Sequence, residues 1–202
     1  LEVNKTEGYV GNFKSTLSDN TKIDHGVIVI ASGGREYTPD EYDYGKSEKI
    51  LAQRQLERLL AANNLQADAS YAMIQCVGSR EKPFNYCSRI CCQDAIKNAI
   101  AIKNKTPDAQ VTIFYRDLRT YGLREKYYTK ARDLGVRFVR YEVDSKPEVT
   151  HDGPKFSIKA YDPILENEIV LSTDYLILST GLRPNAVNDK LGEMYKLTRN
   201  ED

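Results

Sequence analysis

The sequence lacks an excess of either charge. Its 202 residues contain 29 lysines and arginines against 29 aspartates and glutamates, so the formal net charge is zero. This balance gives no general electrostatic attraction to nucleic acid or to anionic lipid. No apolar run approaches the roughly 20 residues that a membrane-spanning helix needs, and no signal peptide opens the sequence. We therefore expect no nucleic-acid partner and no transmembrane segment.

Several motifs of catalysis and nucleotide binding are also missing. The sequence contains no HExxH, no Ser-His-Asp spacing and no GxGxxG turn. Its two histidines, His25 and His151, lie in polar segments without ligand-spaced neighbours, and we assign neither a role. No pair of nucleophile and base can be named, so any catalysis is expected to belong to bound redox cofactors.

The two ends of the sequence have no features of a natural start or finish. The first residues, LEVNKTEGYVGNF, contain no methionine, and the last, MYKLTRNED, form a charged segment without a closing element. We expect the chain to be a piece of a larger protein.

Cysteine is present in an unusual cluster. The stretch CSRICC contains Cys87, Cys91 and Cys92, and the fourth cysteine, Cys76, lies a short way upstream. Four cysteines without a secretory signal indicate the reducing cytoplasm, where clustered thiols more often bind metals or catalyse reactions than form structural disulfides. We expect a cytoplasmic protein with chemistry at these residues.

The middle of the chain predicts a parallel α/β unit. YAMIQCVG, QVTIFYRD and VRFVRYEV have the composition of strands, and the segments 87–105 and LREKYYTKARDLG between them have helical spacing. Alternating strands and helices predict a parallel, right-handed, Rossmann-like sheet.

The flanking segments complete the predicted fold. A helix is expected to follow Ser47, its N-cap, and to end at Asn63 and Asn64. TKIDHG is expected to be a polar connector, and antiparallel strands are expected from residue 146 onward. GVIVIASGG and YLILSTG, two similar strand-like runs, bracket the α/β unit. The predicted domains are 1–66, 67–150 and 151–202: a partial cofactor-domain segment with a linker helix, the inserted Rossmann-like domain, and antiparallel strands that return to the first domain.

The spacing of the cysteines leaves three interpretations open. A helix over 87–105 would put Cys87 and Cys91 one turn apart on one face, with Cys92 about 100° away from Cys91. Loop closure would bring Cys76 to the same helix start. The spacing is neither a ferredoxin run nor the paired C-x-x-C of structural zinc or disulfide exchange. Metal or cluster ligation, dithiol chemistry and plain core packing all remain possible.

The bracketing runs resemble flavin-dependent pyridine nucleotide–disulfide oxidoreductases of the thioredoxin reductase-like class. In that class, a strand ending in a small residue and glycine leaves the FAD domain, and a second such strand re-enters it; here the matching triplets are 31–33 and 179–181. Small residues at strand ends let a cofactor approach the backbone closely. The resemblance implies that FAD is bordered by five residues: Ser32, Gly33, Gly34, Thr180 and Gly181.

A narrower resemblance comes from MIQCVGSR, YCSRICC and FYRDLRTYG, which are similar to the A subunit of heterodisulfide reductase and its bacterial relatives. That family implies a [4Fe-4S] cluster in the inserted domain, with Cys76, Cys87, Cys91 and Cys92 as ligands. It further implies FAD, electron transfer, other subunits of a heterodisulfide reductase-like complex, and ferredoxin or hydrogenase-type electron carriers as partners. The chain alone, without most of the FAD site, is expected to be inactive.

Two alternatives stay open. Arg116 and Arg119 follow a strand where a thioredoxin reductase-like domain would meet the phosphate of a nicotinamide cofactor, so the chain can also be interpreted as an NAD(P)H-binding domain. The same arginines can equally be solvated or paired with neighbouring carboxylates. The other alternative is a non-redox module with zinc-binding or structural cysteines.

Overall fold

The structure, a computed structural model, describes residues 1–66 and 68–198. The chain divides into two compact units, the first formed by Leu1–Arg35 with the C-terminal segment from Arg183, and the second by Glu36–Leu182. The predicted boundaries at 66/67 and 150/151 both fall inside the second unit. The three-part domain assignment stays a prediction.

Strands outnumber helices among the described residues. The strands are β1 Val3–Tyr9, β2 Asn12–Leu17, β3 Lys22–His25, β4 Gly34–Glu36, β5 Ile50–Ala52, β6 Ser70–Val77, β7 Gln110–Tyr115, β8 Arg137–Arg140, β9 Glu148–Asp152, β10 Lys155–Asp162, β11 Asn167–Thr173, β12 Tyr175–Thr180 and β13 Leu182–Pro184. The helices are α1 Gln53–Ala61, α2 Cys91–Lys105, α3 Glu125–Asp133 and α4 Val187–Met194, and a short 3₁₀ helix, Gly122–Arg124, precedes α3.

The second unit is built on a five-stranded sheet in the order β5-β12-β6-β7-β8. All of its strand pairs are parallel. Buried side chains from alternate positions pack on both faces, as in β12, where Ile177 contributes to the core that holds α1, α2 and α3 while Leu176 and Leu178 contribute to the other. That opposite core also takes in the antiparallel sheet β11-β10-β9. Coverage of both faces explains why the parallel strands have almost continuously apolar sequences.

This architecture confirms the predicted fold class, a parallel α/β sheet with additional antiparallel strands. The first unit adds a three-stranded antiparallel sheet, β1-β2-β3, and helix α4. The short strands β4 and β13 pair with each other. Within residues 1–66 and 68–198, no helix has the length and apolar character of a membrane span.

The helix predicted from Ser47 begins later than expected. Ile50–Ala52 forms β5 and pairs in parallel with β12, with Ile50 opposite Leu176. The helix α1 begins only at Gln53, and the amide of Ala52 donates to the side chain of Gln55 at 2.7 Å. The sequence of a short apolar run does not distinguish a strand from a helix. Ile50–Ala52 forms a strand because it pairs with the edge of β12.

Two predictions for the first unit were wrong. GVIVIASGG is predicted to form a strand, but only its last glycine, Gly34, lies in a strand, and Val29 is 84% exposed. β-Branched residues form strands when a neighbouring strand accepts them, and none of the described strands pairs with residues 27–33. Conversely, TKIDHG was expected to be a connector but contains β3, in which His25 lies opposite Phe13.

Candidate cysteine site

The four cysteines occupy one edge of the parallel sheet in the second unit. Cys76 lies near the end of β6, Cys87 lies in the following loop, and Cys91 and Cys92 are the first two residues of α2. The end of a parallel strand and the start of the next helix are neighbours in a βαβ unit. The thiol of Cys91 accordingly interacts electrostatically with all three of the others. We call these four residues the cysteine site.

The predicted helical relation between Cys87 and Cys91 was wrong, because α2 begins at Cys91 rather than at residue 87. Arg89 has a φ of 62°, which is left-handed and cannot continue a helix. The hydroxyl of Ser88 accepts a hydrogen bond from the amide of Leu182 at 2.7 Å, and the amide of Arg89 donates to Cys87 Sγ at 3.3 Å. These contacts hold Cys87 in a loop in front of the helix.

The loops around the cysteine site contain several residues with left-handed backbone. Cys76, Arg80 and Arg89 have φ values of 61°, 64° and 62°, although none of them is glycine. Such conformations cost about 1–3 kcal/mol each and are concentrated at functional sites. Gly78 has a φ of 63°, and a Cβ atom there would overlap the ring of Tyr37. The loops around the cysteine site therefore contain more left-handed residues than an ordinary connection between a strand and a helix needs.

The four cysteines of the cysteine site have free thiols; Cys92 is buried and the other three are partly buried. Burial raises the pKa of Cys91 to about 12 and that of Cys92 to about 11, and it also raises the pKa of Cys76. The thiol of Cys91 donates to the carbonyl of Thr180 at 3.3 Å, and the thiol of Cys92 lies 3.8 Å from the carbonyl of Asp117. Reactive dithiols have lowered rather than raised pKa values, so this environment does not favour disulfide exchange.

Guanidinium groups surround the cysteine site. Arg80 Nη1 lies 3.8 Å from Cys76 Sγ and also forms an ion pair with Asp117. Arg119 pairs with the same carboxylate at 3.1 Å. Arg116 lies 3.6 Å from a carboxylate oxygen of Glu81 and donates to the carbonyl of Arg80 at 3.3 Å. Arg116 and Arg119 are therefore each engaged by a carboxylate, and their predicted role toward a nicotinamide cofactor stays a prediction.

The donor set can be compared with the needs of a metal centre. Within the described ranges, 1–66 and 68–198, no three His, Cys, Asp or Glu side chains are arranged to hold a single metal ion. Tetrahedral zinc, with bonds of about 2.3 Å to sulfur, needs its thiolates tightly gathered. In a [4Fe-4S] cluster each of four thiolates ligates a different iron, so the sulfurs lie farther apart. Four neighbouring cysteines fit such a cluster in number and in chemistry.

The residues predicted to border FAD lie in both units. In the first unit, Gly33 has a φ of 67° with open space where a Cβ would stand, and Ser32 donates to the side-chain oxygen of Asn188; Gly34 opens β4. In the second unit, the amide of Gly181 donates to Val77 O at 3.0 Å. Thr180 accepts the thiol of Cys91, so the second triplet contacts the cysteine site directly. The assignment of these residues to FAD stays a prediction.

A buried amide network beside the cysteine site was missed in the sequence. The amides of Gln53 and Gln75 both donate to the hydroxyl of Ser179, at 2.9 and 2.8 Å, and Asn98 donates to Gln53 Oε1 at 2.8 Å. This network joins α1, β6, β12 and α2. Two of its members, Gln75 and Ser179, directly precede Cys76 and Thr180 in the sequence. A glutamine in an otherwise apolar strand and an asparagine on the inner face of a helix were the available signals, because buried polar groups need partners.

Comparison with known proteins identifies the relatives of this chain. The A subunit of the ferredoxin/F(420)H(2)-dependent CoB-CoM heterodisulfide reductase of Methanosarcina acetivorans is 32% identical, with 91% of this chain and 25% of that protein covered. The iron-sulfur A subunit of the CoB–CoM heterodisulfide reductase of Methanocaldococcus jannaschii is also 32% identical, with 91% and 31% covered. The chain thus spans about a quarter to a third of these relatives. No protein-family model matches it.

Solved structures with a similar fold include a monooxygenase and a thioredoxin reductase. L-lysine 6-monooxygenase of Pseudomonas syringae has a TM-score of 0.53 at 10% identity, with 93% of this chain and 55% of that chain covered. Thioredoxin reductase of Lactococcus lactis has a TM-score of 0.50 at 18% identity, with 93% and 55% covered. At such identities the likeness concerns the fold alone. By sequence, the chain is similar to one segment of the A subunits of heterodisulfide reductases.

Proposed function

We propose that this chain is the cluster-bearing segment of an oxidoreductase subunit that contains FAD and iron–sulfur and transfers electrons within a heterodisulfide reductase-like complex. The observation that carries this proposal is the cysteine site, in which four free thiols lie at one edge of a parallel sheet beside the start of a helix. A relative with 32% identity is named an iron-sulfur subunit, which supports the same assignment.

Cys76, Cys87, Cys91 and Cys92 would be the ligands of one [4Fe-4S] cluster, which when bound supplies one-electron transfer. The start of α2 is the positive end of the helix dipole, which favours the negative charge of four thiolates. Arg80 adds a cation next to Cys76. Desolvation raises the pKa of the Cys91 and Cys92 thiols, and since metal ligation requires thiolates, assembly of the cluster would release their protons.

The second part of the proposal concerns FAD. Ser32, Gly33, Gly34, Thr180 and Gly181 would border the flavin in the longer protein. The hydrogen bond from Cys91 to the carbonyl of Thr180 would then connect a cluster ligand to a flavin-bordering residue, which suits exchange of electrons between the two groups. Other subunits of the complex, and ferredoxin or hydrogenase-type carriers, would complete the route in the cytoplasm. The chain alone is expected to be inactive as a reductase.

Anaerobic reconstitution with iron and sulfide tests the ligand assignment. The chain is prepared beside Cys91→Ser and beside Ser157→Ala, a control in β10 away from the cysteine site. We expect about four irons and four sulfides per chain in the wild type and the control, with broad visible absorption. The Cys91→Ser protein should lose or alter the cluster while keeping its circular dichroism spectrum.

Other outcomes would favour the alternatives. A folded chain that takes up stoichiometric zinc and no iron would indicate a zinc module. Saturable binding of NADH or NADPH that is lost in Arg119→Gln would support a nicotinamide-binding domain. Iron uptake that is equal in the wild type and in Cys91→Ser would remove Cys91 from the ligand set.

A further inference from the structure

One guanidinium group in the cysteine site is shared between a sulfur and a carboxylate. Arg80 Nη1 lies 3.8 Å from Cys76 Sγ, and the same nitrogen forms an ion pair with Asp117. Only 19% of the Arg80 side chain is exposed. Arg80 follows β6 and Asp117 follows β7, so the contact joins the ends of two adjacent strands.

We propose that Arg80 is the positioning residue that sets the electrostatic potential at Cys76, and that Asp117 controls how strongly it does so. This inference rests on the proposed function, since the quantity that it sets is the reduction potential of the cluster. In this proposal, the segment Arg116–Arg119 contributes the charged groups that border the cysteine site.

Asp117 is connected to the cysteine site in two ways. Its carboxylate pairs with both Arg80 and Arg119, and its backbone carbonyl lies 3.8 Å from Cys92 Sγ. The charge of Arg80 is therefore shared between the carboxylate of Asp117 and the sulfur of Cys76.

This arrangement predicts opposite effects for the two residues. A reduced cluster carries one more negative charge than an oxidised cluster, so a nearby cation favours reduction. Arg80→Gln removes the cation and should lower the reduction potential. Asp117→Asn removes the competing anion and should raise it. At a partly buried site we expect each change to alter the redox equilibrium roughly tenfold, which is about 59 mV for one electron.

The test uses the reconstituted chain in five forms: wild type, Arg80→Gln, Arg80→Lys, Asp117→Asn and the control Arg140→Gln. Arg140 forms an exposed pair with Glu142 after β8. Potentials are measured by anaerobic titration with dithionite, followed by electron paramagnetic resonance and visible absorption. Arg80→Lys keeps the charge, and it should remain closer to the wild type than Arg80→Gln does. Arg140→Gln should not shift the potential.

The double variant Arg80→Gln with Asp117→Asn separates control through Arg80 from direct repulsion. If Asp117 acts through Arg80, the upward shift from Asp117→Asn should shrink when Arg80 is absent. An undiminished shift in the double variant would overturn the role of Arg80 as intermediary. Thermal unfolding of each apo protein shows whether a variant is folded.

Failure of this inference and failure of the proposed function have different signatures. A wild-type chain that forms no cluster overturns the proposed function. A wild-type cluster whose potential is the same in Arg80→Gln and in Asp117→Asn overturns the inference alone. If Arg80→Gln is folded but takes up no cluster while Arg80→Lys does, the cation next to Cys76 is needed for assembly, which supports the positioning role.

Discussion

Two runs of similar sequence, YLILST at 175–180 and GVIVIAS at 26–32, differ in structure: the first forms a buried strand and the second forms no strand. In β12, Leu176, Ile177 and Leu178 have no exposed surface. In the first unit, Val29 is 84% exposed and lies outside any strand. Both runs have the composition of a buried strand, so composition alone does not account for the difference.

The presence or absence of a neighbouring strand accounts for this difference between the two runs. β12 lies between β5 and β6 and pairs with both in parallel, so its backbone groups and both rows of side chains are satisfied. The run at 26–32 has no such neighbour among the described strands. Strand propensity measures how well a side chain fits a pleated, half-buried surface, and it has no effect where that surface is absent. This explanation can be tested by substitutions in or next to β12 and by a substitution in the run at 26–32.

The largest effect is expected at the centre of β12. Ile177→Ala removes buried methyl groups from the core between the sheet and its helices, and it should lower the free energy of unfolding by about 2–5 kcal/mol. Urea titration followed by circular dichroism measures this change. A loss below about 1 kcal/mol would mean that the site collapses around the smaller side chain, contrary to the close packing of protein cores.

A second effect, at most as large, is expected where β6, the neighbour of β12, ends. Gly78→Ala adds a Cβ that overlaps the ring of Tyr37 at a left-handed position. Gly122 has a φ of 65°, close to the 63° of Gly78, but open space around its Cβ direction, so Gly122→Ala measures the backbone strain alone, about 1–2 kcal/mol. Gly78→Ala should destabilise by about 1–3 kcal/mol more, as measured by the same titration. Equal losses would show that Tyr37 moves aside freely.

The entry to β12 provides a third test, which depends on pH. Asp174 accepts hydrogen bonds from the amide and hydroxyl of Ser70, at 2.9 and 2.6 Å, and pairs with Lys155. Burial favours the protonated form, but these partners outweigh it and hold the pKa of Asp174 below its usual value of 3.8. A lowered pKa stabilises the fold above the unfolded value, and this contribution is lost as pH falls through the folded value.

Asp174→Asn should therefore lower the free energy of unfolding by about 1–2 kcal/mol at pH 7. The difference from the wild type should shrink below about pH 4, as the wild-type carboxylate becomes protonated. Urea titrations at several pH values between 7 and 3 measure this dependence. Glu142→Gln, in an exposed pair, should change stability by less than about 1 kcal/mol. A difference for Asp174→Asn that grows on acidification would have the wrong sign for this account.

The same dependence on partners explains how much of the fold was predictable. The strands β6, β7 and β12 and the helix α3 were predicted because their periodicity is strong and their partners lie within the chain. The sequence predicts a helix start at Ser47 because no local feature shows that Ile50–Ala52 meets the edge of β12, which is more than 120 residues away. GVIVIASGG failed for the opposite reason, since its composition implies a partner that the described residues do not supply.

The cysteine site was predictable in content but not in geometry. The four cysteines and the resemblance that they carry are visible in the sequence, and so is the edge of the sheet where they meet. The left-handed Arg89 that delays the start of α2, and the sharing of Arg80 between Cys76 and Asp117, depend on contacts between separate parts of the chain. No local pattern encodes such contacts.

The smallest effect is expected in the run at 26–32. Val29→Ala removes side-chain atoms that are already exposed, so the free energy of unfolding of this chain should change by less than about 0.5 kcal/mol. Urea titration beside Ile177→Ala measures both halves of the comparison under the same conditions. If Val29→Ala lowers the free energy of unfolding nearly as much as Ile177→Ala does, the run at 26–32 is buried in solution. The two similar sequences would then have similar structural environments.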